Sequence, residues 1–215
     1  MLKTGLFITF EGGEGSGKSL QSKKLKDFLE SSGYDVVLTR EPGGTIGSEE
    51  IRKILLTGEI DRWDSTTEAL LYLAARSDHW HKKIYPSLLE GKIVICDRFH
   101  DSSIVYQGIC KGVDINFLNS IFTYITSGRY PDRTYLINIS PEIGLKRSFE
   151  KPNNIETRLE NMGIEFHNKV YNAFLDLSAQ NQERFFNIDG NKTISEISDI
   201  IINDISKILK NRCSI

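Results

Sequence analysis

The sequence predicts an α/β fold of three layers, α/β/α, built on a five-stranded parallel sheet. Three observations carry this. Five short apolar runs rich in β-formers recur along the 215 residues, and each is separated from the next by sequence of helical character. Parallel neighbours need long crossovers, so strands that alternate with helices imply a sheet covered on both faces. A glycine-rich loop lies between the first run and the first helical stretch, the order strand, loop, helix.

Taken along the chain, the first run is 6–10, followed by the loop and a helix over 18–32, where the lysines at 23, 24 and 26 read as a solvated face. The second run, 35–39, leads into Arg40, and helices are expected over 47–57 and 65–90. The third run, 93–96, ends in the acid Asp97; a helix over 114–127 separates it from the fourth, 135–139. Helices follow over 141–150 and 157–180, and between them Pro152, Asn153 and Asn154 interrupt the helical pattern, which marks 148–158 as a mobile lid. The fifth run is 184–188. In the last helix, 193–210, Ile194, Ile197, Ile201, Ile205 and Ile208 recur at helical spacing, so it covers the sheet.

Composition excludes several classes. Lys+Arg of 27 against Asp+Glu of 29 leaves a net charge of −2, which advertises neither nucleic acid nor an anionic membrane as partner. With 39% hydrophobic and 26% charged residues the chain reads as a globular protein, and residues 1–215 read as one domain. Cys96, Cys110 and Cys213 are odd in number and scattered, which suits free thiols in a reducing compartment. No signal peptide and no stretch of roughly 20 apolar residues is present, so a cytoplasmic location is expected.

The loop reads Gly12-Gly13-Glu14-Gly15-Ser16-Gly17-Lys18-Ser19, a full match to G-x-x-x-x-G-K-[ST]. Glycines let successive backbone N–H groups turn inward around phosphate oxygens, the following helix N-terminus favours negative charge, and Lys18 adds a point charge at the β- and γ-phosphates. Ser19 offers a hydroxyl to Mg²⁺. Asp97 ends the third strand where such proteins keep a metal-organising carboxylate, although it reads also as a helix cap. Together these imply Mg·ATP. No D-x-x-G follows any aspartate and Asn191-Lys192 lacks the Asp of a guanine clamp, which argues against a regulatory GTPase. The residue after Asp97 is Arg98 rather than a second acid, so an anionic acceptor suits the site better than water.

The chain resembles the thymidylate kinase family, in its bacterial branch, from about residue 6 to 205. The resemblance rests on Phe10-Glu11 with the loop, Thr39-Arg40-Glu41-Pro42-Gly43-Gly44-Thr45, Ala74-Ala75-Arg76, Asp97-Arg98-Phe99 with Asp101-Ser102-Ser103, and Tyr106-Gln107-Gly108. Pro131-Asp132 and Glu165-Phe166-His167 extend it. It implies transfer of the γ-phosphoryl of Mg·ATP to dTMP, giving dTDP and ADP in dTTP biosynthesis, and a homodimer. A kinase for another pyrimidine monophosphate or a small phosphorylated metabolite is the alternative. The resemblance assigns Arg98 to the acceptor phosphate, Tyr72 to stacking on thymine, and Arg76 and Ser103 to the base, with Gln107, Arg52 and Glu41 completing the pocket. Tyr72 stands where the family more often has phenylalanine.

Tyr72 and Arg76 lie four apart in a helical run and so share a face. Tyr72 reads equally as core, whereas an unpaired buried Arg76 would be costly. Glu14 is an acid among phosphate-binding residues; the resemblance turns it toward the acceptor, and the alternative is a solvated side chain. Arg40 reads either as an acceptor-phosphate contact or as a brace for Glu41 and its turn. No basic residue occupies the variable loop positions, so the cation for the phosphoryl in flight must come from elsewhere. Arg158 is the expected source with Lys151 as auxiliary; a helix-surface Arg158 paired with Glu156 or Glu160 is the alternative. His79 and His81 face different sides of a helix, and no transition-metal site is expected. Trp63 and Trp80 read as core rather than subunit contacts.

Overall fold

The computed structural model describes residues 5–150 and 158–213. Among them, five parallel strands form one sheet: β1 (Leu6–Glu11), β2 (Val36–Arg40), β3 (Ile93–Asp97), β4 (Arg133–Asn138) and β5 (Phe185–Asp189). All five expected runs are strands, with ends displaced by one or two residues. Their order across the sheet is β2-β3-β1-β4-β5. Arg40 pairs in register with Asp97, and Asp97 with Phe10, so three strands end together on one edge of the molecule.

The helices are α1 (Lys18–Ser31), α2 (Ile46–Leu56), α3 (Ser65–His79), α4 (Tyr85–Leu89), α5 (His100–Ser103), α6 (Ile115–Thr126), α7 (Pro141–Phe149), α8 (Ile164–Gln180) and α9 (Ile194–Cys213). The period-2 alternation of β1 separates the two helical layers. Leu6, Ile8 and Phe10 pack with Leu25 and Leu29 of α1 and with Ile197, Ile201 and Ile205 of α9, as the isoleucine spacing predicts. Phe7 faces the other side, against Leu73 of α3, Phe122 of α6, and Trp80, which is core.

Three departures from the expected helices bear on the site. The stretch 65–90 is continuous but passes through a π-helical turn, Trp80–Ile84, between α3 and α4. No helix was expected over 100–110, yet α5 runs into a second π-helical segment, Ile104–Cys110. Such wide turns gather in functional regions, and this one carries Tyr106 and Gln107. The helix expected from 157 begins instead at Ile164, because Gly163 adopts φ 83° and separates α8 from a short 3₁₀ turn at Glu160–Met162. The lid expected over 148–158 falls largely on 151–157, outside the described residues.

Candidate active site

A cavity of about 540 Å³ opens at the carboxyl ends of β1, β2 and β3, the end at which open parallel sheets bind ligands. Its size is that of a small-molecule site. The Gly12–Ser19 loop forms one wall. It lies directly on the first turns of α7: Gly15 has φ +65°, and a Cβ there would come 1.9 Å from the carbonyl oxygen of Gly144. A side chain at either glycine would push the phosphate loop off its support. Lys18 Nζ donates to the carbonyls of Gly12 (3.1 Å) and Gly13 (2.7 Å) and to Ser16 Oγ (3.2 Å). Burial, and next the nearby Arg98, lower its pKa to about 8.

Arg98 follows β3 with φ 69°, a left-handed conformation uncommon for a residue with a side chain and costly enough to need a framework. That framework is Glu11. Its buried carboxylate accepts from Phe99 N (2.8 Å) and Ser102 Oγ (2.6 Å), tying the residues after Arg98 back to the end of β1. Burial, and then the neighbouring Asp101, push the Glu11 carboxyl up to about 7. Arg98 Nη1 donates to Gly12 O (3.0 Å) and Ser102 Oγ (3.1 Å), and Nη2 donates to Glu14 Oε1 (2.7 Å). Glu14 also accepts from Tyr106 Oη (2.9 Å), whose ring lies under the guanidinium. Glu14 is therefore turned inward and paired, not solvated. Burial alone would raise its carboxyl, but Arg98, Lys18 and the tyrosine hydroxyl outweigh that and hold it at about 2.

Across the mouth, Ser19 Oγ donates to Asp97 Oδ2 at 2.5 Å, so the two expected metal-binding residues are adjacent. Also lining the cavity, Arg76 is 2% exposed. Its Nε donates to Glu41 Oε2 (2.8 Å) and its Nη1 to Ser103 Oγ (3.0 Å), which joins three expected pocket residues in one chain. Glu41 is held from behind by His79, whose Nδ1 lies 3.1 Å from Oε1 and whose Nε2 lies 2.7 Å from Thr39 Oγ1. Tyr72 lines the cavity one turn before Arg76 on α3, which favours a ligand-facing role over core. Arg52, on α2, lines it too and donates to Pro42 O at 2.7 Å. Gln107 completes the wall. Arg40 borders the cavity but pairs with Glu49 at 3.1 Å, and Glu49 also accepts from Gly44 N; Arg40 thus braces the turn, not Glu41.

Arg158 is not at the phosphates, which corrects its expected role. Its side chain is 0% exposed and paired with Glu68 of α3 at 2.6 Å. The same guanidinium donates to the carbonyls of Leu55 (3.1 Å), Glu59 (3.1 Å) and Ile60 (2.8 Å). Burying a guanidinium requires a full set of acceptors, and the end of α2 and the turn after it supply them; neither lid closure nor surface pairing describes this residue. Lys151, the expected auxiliary, lies outside the described residues. Among the described residues of this region, the basic side chain that lines the cavity is Arg147 of α7. Arg158→Ala is accordingly expected to lower the free energy of unfolding by about 3–5 kcal/mol, the cost of stranding one partner of a buried pair. Urea melts measure this; wild-type stability combined with a collapse in kcat would return Arg158 to the chemistry.

Tyr106, Glu11, Ser102, His79 and Glu68 take part in this site although no role was predicted for them. Tyr106, Glu11 and Ser102 stood in quoted motifs. His79 and Glu68 gave no signal, since each touches the cavity wall only through another side chain.

The sequence model of the family described as thymidylate kinase matches residues 10–201. A thymidylate kinase of Ruegeria pomeroyi is 44% identical over 211 residues, covering 96% of this chain and 99% of that protein. One of Bacillus pumilus is 40% identical over 207 residues, covering 96% and 98%. The crystal structure of thymidylate kinase from Ehrlichia chaffeensis superposes with a TM-score of 0.75 at 35% identity, covering 94% of this chain and 99% of that one.

Proposed function

The chain belongs to the thymidylate kinase family, and from that premise we propose how its cavity divides between two nucleotides. The protein is an ATP-dependent nucleoside monophosphate kinase that transfers the γ-phosphoryl of ATP to dTMP, giving dTDP and ADP. The donor's phosphates lie in the loop of Gly12, Gly13, Glu14, Gly15, Ser16, Gly17, Lys18 and Ser19. The acceptor's phosphate lies on Arg98, with Glu41, Arg52, Tyr72, Arg76, Ser103 and Gln107 around its base and sugar. The observation that carries this division is that two cations, Lys18 held within the glycine loop and Arg98 paired with Glu14 at 2.7 Å, line one cavity.

Phosphoryl transfer asks little covalent chemistry of a protein; positioning and charge stabilisation do most of the work. Lys18 neutralises charge between the leaving and transferred groups, and Arg98 holds the attacking phosphate oxygen in line. Glu14 occupies Arg98 until that phosphate arrives. Ser19 and Asp97 fit Mg²⁺, being hard oxygen donors in contact. Ser19 and Asp97 would hold the ion, which would supply positive charge against the negative charge that develops on the transferred phosphoryl group. Arg147, on the cavity rim, takes over the role first expected of Arg158, with Lys151 as its auxiliary.

Incubation with Mg·ATP and each nucleoside monophosphate, followed by ADP, tests the acceptor. Arg76 presents a donor to the base, which matches the O4 of thymine and opposes the N4 amino group of cytosine. We expect kcat/KM for dTMP to exceed that for dCMP by about 10⁴-fold, the scale on which a mispaired buried hydrogen-bonding group is rejected. dUMP lacks only a methyl group and is expected to fall by about 10- to 200-fold. Equal values for dTMP and dCMP would remove Arg76 from base recognition, and ADP formation independent of any acceptor would mean an ATPase.

The proposal extends to residues 1–215 as one domain, to a cytoplasmic location without a nucleic-acid partner, and to a homodimer. One sheet with helices on both faces, free Cys96 and Cys110, and a net charge of −2 support the first two. Exposed Leu70 on α3 and Tyr124 on α6 support the third. Among the described residues no helix is long and apolar enough to cross a membrane.

A further inference from the structure

Behind the acceptor wall lies a buried carboxylate that the reaction itself does not use. Glu68 is on α3 at positions i, i+4 and i+8 with Tyr72 and Arg76, so all three share one face of the helix. It is 0% exposed. Its Oε1 accepts from Gln107 Nε2 (3.0 Å) and Lys111 Nζ (2.7 Å), and its Oε2 accepts from Lys111 Nζ (2.8 Å) and Arg158 Nη2 (2.6 Å). Burial would raise this carboxyl, but the hydrogen bond and charge of Lys111, then Gln107 and Arg158, hold it below its ordinary value.

An ionised carboxylate accepts hydrogen bonds and cannot donate them. Gln107 must therefore turn its NH₂ toward Glu68, an orientation fixed by chemistry. Its Oε1 is left on the cavity wall, with no hydrogen-bond partner among the described residues, and Gln107 lines the cavity beside Tyr72, Arg76 and Ser103. The acceptor wall then presents a donor, Arg76, next to an acceptor, the Gln107 carbonyl. A base with a carbonyl adjacent to a ring N–H meets both; cytosine, with an amino group adjacent to an unprotonated ring nitrogen, meets neither.

We propose that Glu68 is a specificity-determining positioning residue, which sets pyrimidine choice by locking the Gln107 carboxamide with its oxygen toward the acceptor base. Lys111 and Arg158 act by keeping Glu68 charged. This inference rests on the reading of the cavity as the acceptor site, and the two can fail separately.

In Glu68→Gln the partner of Gln107 can donate as well as accept, so the carboxamide is free to flip. The ratio of kcat/KM for dTMP to that for dCMP is expected to narrow by about tenfold or more, through a higher KM for dTMP with the KM for ATP unchanged. Glu68→Asp keeps an acceptor-only group and is expected to recover most of the preference. A wild-type enzyme that does not prefer dTMP to dCMP overturns the acceptor-site reading. A wild-type preference carried undiminished into Glu68→Gln overturns the role of Glu68 alone. Should the glutamine variant not fold, the side-chain NH₂ protons of Gln107 in the unmodified protein decide, by nuclear magnetic resonance. Protons protected from solvent exchange support the lock, and exchange as fast as that of a surface glutamine overturns it.

Discussion

Lys18→Ala is expected to lower kcat by about 10³-fold or more while the protein stays folded and the KM for dTMP changes little. The magnitude is that of removing a preorganised charge from a transition state stabilised mainly by electrostatics. Lys18 Nζ is held by the Gly12 and Gly13 carbonyls and by Ser16. Burial, with Arg98 nearby, brings its pKa down to about 8. A triphosphate offers stronger partners and favours the charged form further. The alanine variant loses that neutralisation between leaving and transferred groups. Lys18 lines the cavity, so water can enter the space its side chain leaves, and stability is expected to hold. A coupled assay of ADP release, with circular dichroism of the same samples, measures both; near-normal turnover would remove the loop from the reaction.

Arg98→Ala is expected to reduce kcat/KM for dTMP by about 10³-fold, since a guanidinium that holds a phosphate through paired charged hydrogen bonds supplies several kcal/mol. Arg98→Lys should restore little of it, because an ammonium cannot span Gly12, Ser102 and a phosphate at once. The variant also carries a pH signature. Glu14 is held at about 2 in the folded protein against an ordinary 4.5. A depressed carboxyl contributes stability that is present above its unfolded pKa and lost as pH falls through the folded one. In the wild type that contribution is about 3 kcal/mol above pH 4.5, fading toward pH 2. Removing Arg98 removes the charge that chiefly opposes the burial penalty on Glu14. The stability gap between wild type and variant is therefore expected near neutral pH and should close as the pH drops toward 2. Denaturant melts across that range measure it; a gap independent of pH would mean that Arg98 does not set the state of Glu14.

The residues best predicted from sequence are those whose role depends on near neighbours. The β-rich runs became strands because their alternating apolar residues feed two separate cores, and the isoleucines of α9 became a core face because 3.6-residue spacing needs no knowledge of the partner. The glycine-rich loop was legible for the same reason: eight successive positions and a following helix suffice to specify it. Helix ends were less legible. The π-helical segment Ile104–Cys110 lies in a stretch rich in β-branched residues with a glycine, where local preference opposes a helix that packing against α8 and α6 supports.

Local pattern thus established a parallel α/β sheet and a glycine-rich loop between strand and helix, and the family's motifs pointed to side chains that line one cavity. It could not say which of those charges face one another. Glu14 and Arg98 are 84 positions apart, Glu68 and Gln107 are 39 apart, and Arg158 reaches carbonyls nearly 100 positions away. Charged side chains on a written sequence look equally suited to solvent, ligand or partner. Burial decides among these, because a charge taken out of water must find its acceptors in whatever the folded chain brings near. That requirement turned Arg158 away from the phosphates and into the wall, and turned Glu14 from a stray acid in the loop into the partner of Arg98.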